Sequence, residues 1–182
     1  METVFIFVLR HRSFSWKSTV NIMEDKQANK VKISLRKNYL KELNEMSRYT
    51  PDNIQFLKEN EYFVFGSNEA GIHGGGAARL ALDKFNAQYG KPFGFQGNSF
   101  AIPTKDRNIE TLPLENIKEY IALSEVFFEQ NPDKIFYVTK IGCGLAGLTV
   151  AEVAPLFNKA YTLENVYMPE EFYDYISWIV EE

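Results

Sequence analysis

The sequence predicts an α/β protein with a mainly parallel sheet that helices cover on both faces. Short apolar segments rich in β-branched and aromatic residues alternate with longer segments in which apolar residues have helical spacing. The composition is that of a globular protein, with 45% hydrophobic and 24% charged residues. The glycines gather directly after predicted strands, where ligands of open α/β sheets bind.

The first predicted elements are two helices with a strand between them. Apolar residues recur every three or four positions over residues 35–48, which predicts an amphipathic helix that ends before Pro51. The segment "EYFVFG" (61–66) is apolar almost throughout, as expected of a strand buried on both faces. The segment "ARLALDKFNAQYG" (78–90) is predicted to form a helix closed by Gly90.

Strands and helices continue to alternate along the rest of the chain. "SFAIPT" (99–104) predicts a second strand, and "LENIKEYIALSEVFFEQN" (114–131) predicts a long helix that stops before a proline. "KIFYVTKIG" (134–142) predicts a third strand. "NVYMP" (165–169) predicts a fourth strand, which the closing helix at 170–182 follows.

A helix at about 150–162 is predicted from its first residues. Thr149 and Glu152 have the spacing of a capping box, in which each side chain bonds the backbone N–H of the other. Pro155 lies inside this helix and is expected to cost one hydrogen bond, because proline has no N–H.

The chain is predicted to have three parts. Residues 1–23 show no sustained period and are interpreted as a disordered arm, or as an upstream extension of a reading frame that begins at Met23. Residues 24–60 form a helical extension, and residues 61–182 form the main domain. Residues 1–60 carry 11 Lys/Arg and 7 Asp/Glu, whereas 61–182 carry 9 and 17, so the main domain is acidic.

Composition excludes several classes of function. An acidic domain argues against a broad nucleic-acid groove. No apolar run approaches the roughly 20 residues of a membrane helix, so no membrane association is expected. Cys143 is the single cysteine, which rules out an intrachain disulfide and favours a reducing, cytoplasmic location. No His/Cys cluster indicates a metal site, and no bound cofactor is predicted.

Two glycine-rich loops are the strongest functional signal. Of the 11 glycines, eight lie within residues 66–97 and three within 142–147. The first loop, "GSNEAGIHGGGAARLAL" (66–82), leads from a strand into a helix, and the second, "IGCGLAGLTV" (141–150), does the same. Backbone N–H groups in such loops, together with a helix N-terminus, bind anions. Two such loops after parallel strands predict one ligand held from two sides, most simply a diphosphate.

The second loop also matches the dinucleotide fingerprint G-x-G-x-x-G at Gly142, Gly144 and Gly147. A Rossmann domain needs this motif in its first βαβ unit, but only 35 residues follow Gly147. An acidic residue should also end the next strand, whereas Glu164 precedes it. A Rossmann-like NAD-binding protein is therefore the weaker interpretation.

The two loops together resemble those of the macrodomain family. "VFGSNEAGIHGGGAARLA" and "VTKIGCGLAGLTVAEVAPLF" have the form and order of that family's two phosphate loops, and the resemblance covers about residues 61–168. The form with "IGCGL" is most similar to the branch of terminal ADP-ribose glycohydrolases and DNA ADP-ribosylglycohydrolase antitoxins. The resemblance implies a three-layer α/β/α fold with a mixed, mainly parallel sheet. It also implies that ADP-ribose, or an ADP-ribosylated macromolecule, is the partner.

The resemblance implies where the ligand binds. Asn68 would lie near the distal ribose, and the two loops would enclose the diphosphate. His73 lies beside the glycines, where it either contacts the phosphate or ribose or is a solvent-exposed loop residue. With His73, the predicted ligand-binding residues are Gly66, Ser67, Asn68, Gly74, Gly75, Gly76, Ala77, Ile141, Gly142, Cys143, Gly144, Leu145, Ala146 and Gly147.

Catalysis is left open by the same resemblance. In the glycohydrolase branch a lysine after the middle strand attacks the distal ribose, and Lys105 matches its place. The branch's catalytic acid lies just after "GCGL", but Ala146 stands there. Asp106 is the neighbouring candidate, and Cys143 is interpreted as a small residue in a crowded loop rather than a nucleophile. The protein is therefore either an ADP-ribosyl hydrolase or a non-catalytic reader or scavenger, with Asp52 a candidate to recognise adenine.

Overall fold

The computed structural model describes Leu35 and residues 48–180. The predicted arm at 1–23 lies outside the described residues, and so does the predicted helix at 35–48 apart from its two ends. The chain divides into two units, Met1–Glu42 and Leu43–Glu182, and the fold below is that of the second. The predicted boundaries at 24 and 61 stay predictions.

A five-stranded sheet forms the centre of the domain, with the strand order β2-β3-β1-β4-β5. The central strand β1 pairs in parallel with β3 and β4, and β5 pairs in parallel with β4. Strand β2 is antiparallel to β3, so the sheet is mixed and mainly parallel, as predicted. The strands are β1 (Glu61–Asn68), β2 (Gly94–Gln96), β3 (Ser99–Lys105), β4 (Ile135–Val138) and β5 (Val166–Tyr167).

Helices cover both faces of the sheet. Alternate side chains of β1 point to opposite faces, so Phe63 and Phe65 pack with the first helix while Val64 faces the larger core. That larger core contains Ile117 of the long helix and Phe172 of the last one. The helices are α1 (Gly76–Lys84), α2 (Leu114–Gln130), α3 (Val150–Val153), α4 (Asn158–Thr162) and α5 (Glu170–Val180).

The segment before β1 pairs with the far edge of the sheet. Thr50 donates its N–H to the carbonyl of Met168 at 2.8 Å, and Met168 donates to the carbonyl of Arg48 at 3.1 Å. Tyr49 and Met168 form a parallel bridge just beyond β5, which is an edge strand. Residues 48–50 therefore extend the sheet by one short pairing.

Three predicted elements are shorter than expected, among them the strand predicted over 165–169, which spans only Val166–Tyr167, and one strand was missed. The helix expected to end at Gly90 ends at Lys84, because Asn86 adopts a left-handed φ of 57° that stops the helix. The strand expected over 134–142 ends at Val138, where the chain turns toward the second glycine loop. Strand β2 has three residues, which is too few to show an alternating pattern.

The predicted helix at 150–162 is divided into three pieces. Its capping box is confirmed: Thr149 Oγ1 accepts the N–H of Glu152, and Glu152 Oε2 accepts the N–H of Thr149 at 2.8 Å. After α3 the chain forms a 3₁₀ turn at Ala154–Phe157, and α4 follows. The break is larger than the single lost hydrogen bond that was predicted, because the ring of a proline also clashes with the carbonyl four residues before it.

Glu125 is a buried carboxylate that joins α2 to α4. Its Oε1 accepts the backbone N–H of Ala160 at 2.8 Å. Burial raises the pKa of Glu125 above its ordinary value of 4.5, although that hydrogen bond and nearby Lys159 act in the opposite direction. The carboxyl group of Glu125 therefore binds its proton more tightly in the folded protein than in the unfolded chain.

The protein is expected to lose stability through Glu125 as pH rises, and replacing Glu125 with glutamine is expected to remove that loss. Because the folded-state pKa is raised, the carboxyl group contributes most at low pH, and its contribution falls as pH rises from 4.5 through the folded value. Urea unfolding from about pH 4 to pH 7 should show that the free energy of unfolding of Glu125→Gln increases relative to that of the wild type as pH rises. Glu119→Gln, on the exposed side of α2, is the control. A constant difference between Glu125→Gln and wild type would contradict this account.

Candidate functional site

A cavity of about 550 Å³ opens at the carboxyl ends of β1, β3 and β4. Ligands of open α/β sheets bind at this edge. The cavity is within the size range of small-molecule sites. It is lined by Gly66, Ser67, Asn68, Ile72, Gly74, Gly75, Gly76, Ala77, Ala78, Thr104, Lys105, Ile109, Thr139, Lys140, Ile141, Gly142, Gly144, Leu145 and Ala146.

The N-terminus of α1 forms one wall of the cavity. The helix has Gly75 as its N-cap, with no capping side chain and no acidic residue in the first turn. Arg79 makes the first intrahelical bond, to the carbonyl of Gly75 at 3.1 Å, so the N–H groups at 76–78 have no intrahelical partner. These donors and the positive end of the helix dipole suit an anion.

The second glycine loop forms the opposite wall. Leu148 donates to the carbonyl of Gly142 at 3.0 Å, and Gly147 donates to that of Gly144 at 2.9 Å, which folds the loop on itself. Among the described residues, no hydrogen bond engages the N–H groups of Gly142, Gly144, Leu145 or Ala146. The second wall therefore also presents backbone donors to the cavity.

The two walls approach each other closely at Leu145. A Cβ placed on Gly75 would lie 3.1 Å from Leu145 Cδ1, and one on Gly76 would lie 3.7 Å away. Glycine at these positions leaves room for the leucine, whose side chain is 74% exposed. Leu145 of the second loop thus reaches the glycines of the first loop.

Two lysines supply the charge of the cavity. Lys105 ends β3, and Lys140 lies between β4 and the second glycine loop. A hydrogen bond to Glu171 at 2.5 Å raises the pKa of Lys140, which keeps it cationic. None of the cavity-lining residues within the described chain is a carboxylate. The cavity therefore favours an anionic ligand.

His73 does not line the cavity, and it is fully buried rather than exposed. Its Nε2 lies 3.2 Å from Gln96 Oε1, and its ring packs edge-on against Phe65 with centroids 5.1 Å apart. The expectation of an exposed loop residue was therefore wrong, and the structure shows no position from which His73 contacts a ligand in the cavity. Its Nδ1 is buried without a hydrogen-bond partner, so burial of this ring has an energetic cost.

Asp106, Cys143 and Gly147 also lie outside the cavity lining. Asp106 Oδ1 accepts the N–H groups of Asn108 at 2.8 Å and Glu110 at 2.9 Å, so the carboxylate organises its own loop. Cys143 is half-buried against the larger core. Burial raises the pKa of its thiol, which disfavours the thiolate that a nucleophile requires.

Asn68 lines the cavity but uses its amide group within its own loop. Its Oδ1 accepts the N–H of Ile72 at 2.9 Å, and its Nδ2 donates to the carbonyl of Ile72 at 2.6 Å. Thr104 Oγ1 donates to the carbonyl of Ser67 at 3.3 Å, which joins the ends of β1 and β3. Asn68 therefore shapes the first loop.

Six lining residues were not predicted. Lys140 could have been found, because it lies directly between a strand and the second glycine loop in "VTKIG". The aliphatic members carry no motif, so no local signal marks them. The six are Ile72, Ala78, Thr104, Ile109, Thr139 and Lys140.

A smaller cavity of about 310 Å³ adjoins the first one. The two share Ala77, Thr139 and Lys140. The smaller cavity is lined by Asp52, the candidate for adenine recognition, and by apolar residues such as Phe63. A ligand longer than a diphosphate could therefore extend from one cavity into the other.

The described residues offer neither a metal site nor a membrane-spanning helix. No group of three His, Cys, Asp or Glu side chains has the geometry to hold a metal ion. None of the helices that the structure describes is long and apolar enough to cross a membrane.

Comparisons with known proteins give two structural matches. No protein-family profile and no curated protein matches the chain. The structure of Thermosipho africanus DarTG in complex with ADP-ribose matches at 18% identity with a TM-score of 0.49, over 65% of this chain and 39% of that chain. A protein of unknown function from Bacteroides thetaiotaomicron matches at 12% identity with a TM-score of 0.46, over 62% of this chain and 88% of that chain.

Proposed function

We propose that this chain binds ADP-ribose, or a terminal ADP-ribosyl group on a macromolecule, with the diphosphate held between the two glycine loops. The observation that carries this proposal is the uncapped N-terminus of α1, which lies across one cavity from the free N–H groups of the second loop. Donors on both walls match a ligand that has acceptor oxygens on both sides.

The charges support a diphosphate rather than a neutral ligand. Lys105 and Lys140 line the cavity, and no lining residue of the described chain is a carboxylate, although Lys140 forms an ion pair with Glu171 outside the lining. Charge-assisted hydrogen bonds to phosphate oxygens are about twice as strong as neutral ones. The preference for a diphosphate therefore comes from the backbone donors, which set the geometry, and from the positive charge of Lys105.

The two cavities support a nucleotide on one side of the diphosphate and a sugar on the other. The smaller cavity combines Asp52 with apolar walls, a combination that suits the amino group and the faces of an adenine ring. The far end of the main cavity contains Lys105 and Asn68. The sequence resemblance to macrodomains independently suggests the same ligand.

A non-catalytic reader or scavenger is the second candidate. Asp106, the nearest carboxylate to Lys105 in the sequence, is bonded to its own loop, and Ala146 cannot transfer a proton. Hydrolysis of an ADP-ribosyl linkage would then depend on Lys105 as nucleophile or electrostatic helper. These observations support binding more directly than turnover.

The first test is a calorimetric titration of the full chain with ADP-ribose, NAD and AMP in parallel. Micromolar binding of ADP-ribose and weaker binding of AMP are expected, because AMP has only one phosphate. No heat with any of the three would overturn the proposal. Tighter binding of NAD than of ADP-ribose would favour the Rossmann-like alternative.

The same protein should then be assayed on ADP-ribosylated protein and DNA. If it is a hydrolase, Lys105→Ala is expected to abolish release of ADP-ribose, whereas the backbone donors of the two loops should retain binding at reduced affinity. Lys118→Ala, an exposed lysine on α2 away from the cavity, is the matched control. Binding without release by the wild type would select the reader.

A further inference from the structure

Three exposed aliphatic side chains surround the main cavity. Ile72, Ile109 and Leu145 are 37%, 41% and 74% exposed, and all three line the cavity that also contains the phosphate-binding features. We call these residues the apolar rim. Clustered exposed apolar groups at a cavity mark a surface that a ligand covers.

Ile109 adopts a backbone conformation that β-branched residues rarely take. Its φ is 68°, in the left-handed region, where the branched side chain crowds the backbone. The residue lies in a tight loop closed by a bridge between Lys105 and Thr111. Asp106 donates to the carbonyl of Glu110 at 2.8 Å, and Ile109 donates to that of Asp106 at 3.2 Å. Such strain persists only where the surroundings hold it in place.

The polar residues of the site hold the rim in place. The Asp106 carboxylate accepts two N–H groups of the Ile109 loop, one on each side of Ile109. Asn68 holds both the N–H and the carbonyl of Ile72. Two side chains that the sequence suggested for ligand chemistry thus position two aliphatic residues.

A further hydrogen bond links the Ile109 loop to the second glycine loop. Thr111 Oγ1 donates to the carbonyl of Ala146 at 2.8 Å, and Ala146 directly follows Leu145. Ile109 and Leu145 are therefore carried by two connected loops on one side of the cavity mouth. Ile109 follows β3, whereas Thr139 and Lys140 of the junction follow β4, and β1 lies between these two strands, so Ile109 lies away from the junction.

We propose that Ile109 is a specificity-determining residue: with the rest of the apolar rim it packs against the C–H face of the sugar attached to the second phosphate. This inference rests on the proposed function and deepens it. Contacts with the diphosphate alone would give ADP and ADP-ribose similar affinities. The rim adds affinity only for a ligand that carries the second sugar. The aliphatic side chains of the rim, rather than the backbone N–H groups of the glycine loops, set the preference for ADP-ribose.

The test compares affinities for ADP-ribose and ADP by calorimetry in the wild type and in Ile109→Gly. We expect the wild type to prefer ADP-ribose by about tenfold, because the rim buries several aliphatic carbons. Ile109→Gly should lose most of that preference through weaker ADP-ribose binding, while its affinity for ADP is kept. Its melting temperature should not fall, because glycine adopts a φ of 68° without strain. Ile109→Asn, which also tolerates this φ, is the second variant.

Variants of Asp106 provide a second test, because the Asp106 carboxylate positions the loop that carries Ile109. Asp106→Ala should lower the ADP-ribose to ADP ratio as Ile109→Gly does, and Asp106→Asn should restore it, since the amide keeps the Oδ1 acceptor. An unchanged ratio in both Ile109 variants would overturn the inference while leaving the proposed function intact. Failure of the wild type to bind ADP-ribose would overturn the proposed function itself.

Discussion

Replacing Gly144 with alanine is expected to weaken ADP-ribose binding by about tenfold or more without destabilising the fold. A Cβ at Gly144 meets no protein atom within 4 Å, and the backbone there is not left-handed, so the protein accommodates the methyl group. The methyl group would, however, stand at the cavity wall and keep a phosphate from the loop's N–H groups. Losing charge-assisted hydrogen bonds of this kind costs about 1.5–3 kcal/mol.

Stability and affinity should change in opposite directions in this variant. An unstrained Gly→Ala substitution stabilises a protein by about 0.4–1 kcal/mol through the unfolded state. Melting curves and calorimetric titrations of Gly144→Ala would measure both quantities.

The control is Gly90→Ala, outside the cavity, where a Cβ also meets no atom but φ is +85°. It should lose stability and keep affinity. Wild-type affinity in Gly144→Ala would show that the diphosphate does not contact the second loop.

Replacing Gly97 with alanine is expected to destabilise the domain by about 3–5 kcal/mol, from strain and steric overlap together. A Cβ at Gly97 would lie 2.4 Å from Asn86 Cβ and 2.7 and 2.8 Å from the carbonyl oxygens of Asn86 and Phe85. Two of these three atoms are backbone, so they cannot rotate away. The φ of +55° adds the usual cost of a left-handed non-glycine residue.

Urea unfolding of Gly97→Ala and Gly90→Ala separates these two causes. Both substitutions place alanine at positive φ, but only Gly97 has close neighbours. Gly90→Ala should therefore lose about 1–2 kcal/mol, and the additional loss in Gly97→Ala measures the overlap. Equal losses in the two variants would show that the turn at 85–86 moves freely, contrary to its hydrogen bond between Asn98 N–H and Phe85 carbonyl at 3.0 Å.

Elements with a long, uniform apolar pattern could be predicted from the sequence. Strands β1 and β3 and helix α2 were found within three residues of their observed ends. The end of α1 could not be found, because it depends on Asn86, a residue that is also compatible with a helix. Strand β2 exists only through its pairing with β3, and no local pattern in three residues reveals such pairing.

The candidate site, like the fold, could be predicted only in part from the sequence. Two glycine loops after parallel strands could be expected to face one cavity, because parallel strands end at the same edge of a sheet. The burial of His73 could not, since it depends on Phe65 and Gln96, which are distant in sequence. The role of Asp106 was accessible in principle, because aspartate commonly bonds the N–H two residues on, as it does here with Asn108.

The pairing of residues 48–50 with Met168 also bears on self-association. Strand β5 is short and lies at the edge of the sheet, and the N–H and carbonyl of Met168 are both satisfied by the segment that precedes β1. An unpaired sheet edge is a template on which a second chain can add a strand. By covering the edge at Met168, residues 48–50 should therefore hinder edge-to-edge aggregation. A chain shortened to begin at residue 61 would lose that protection.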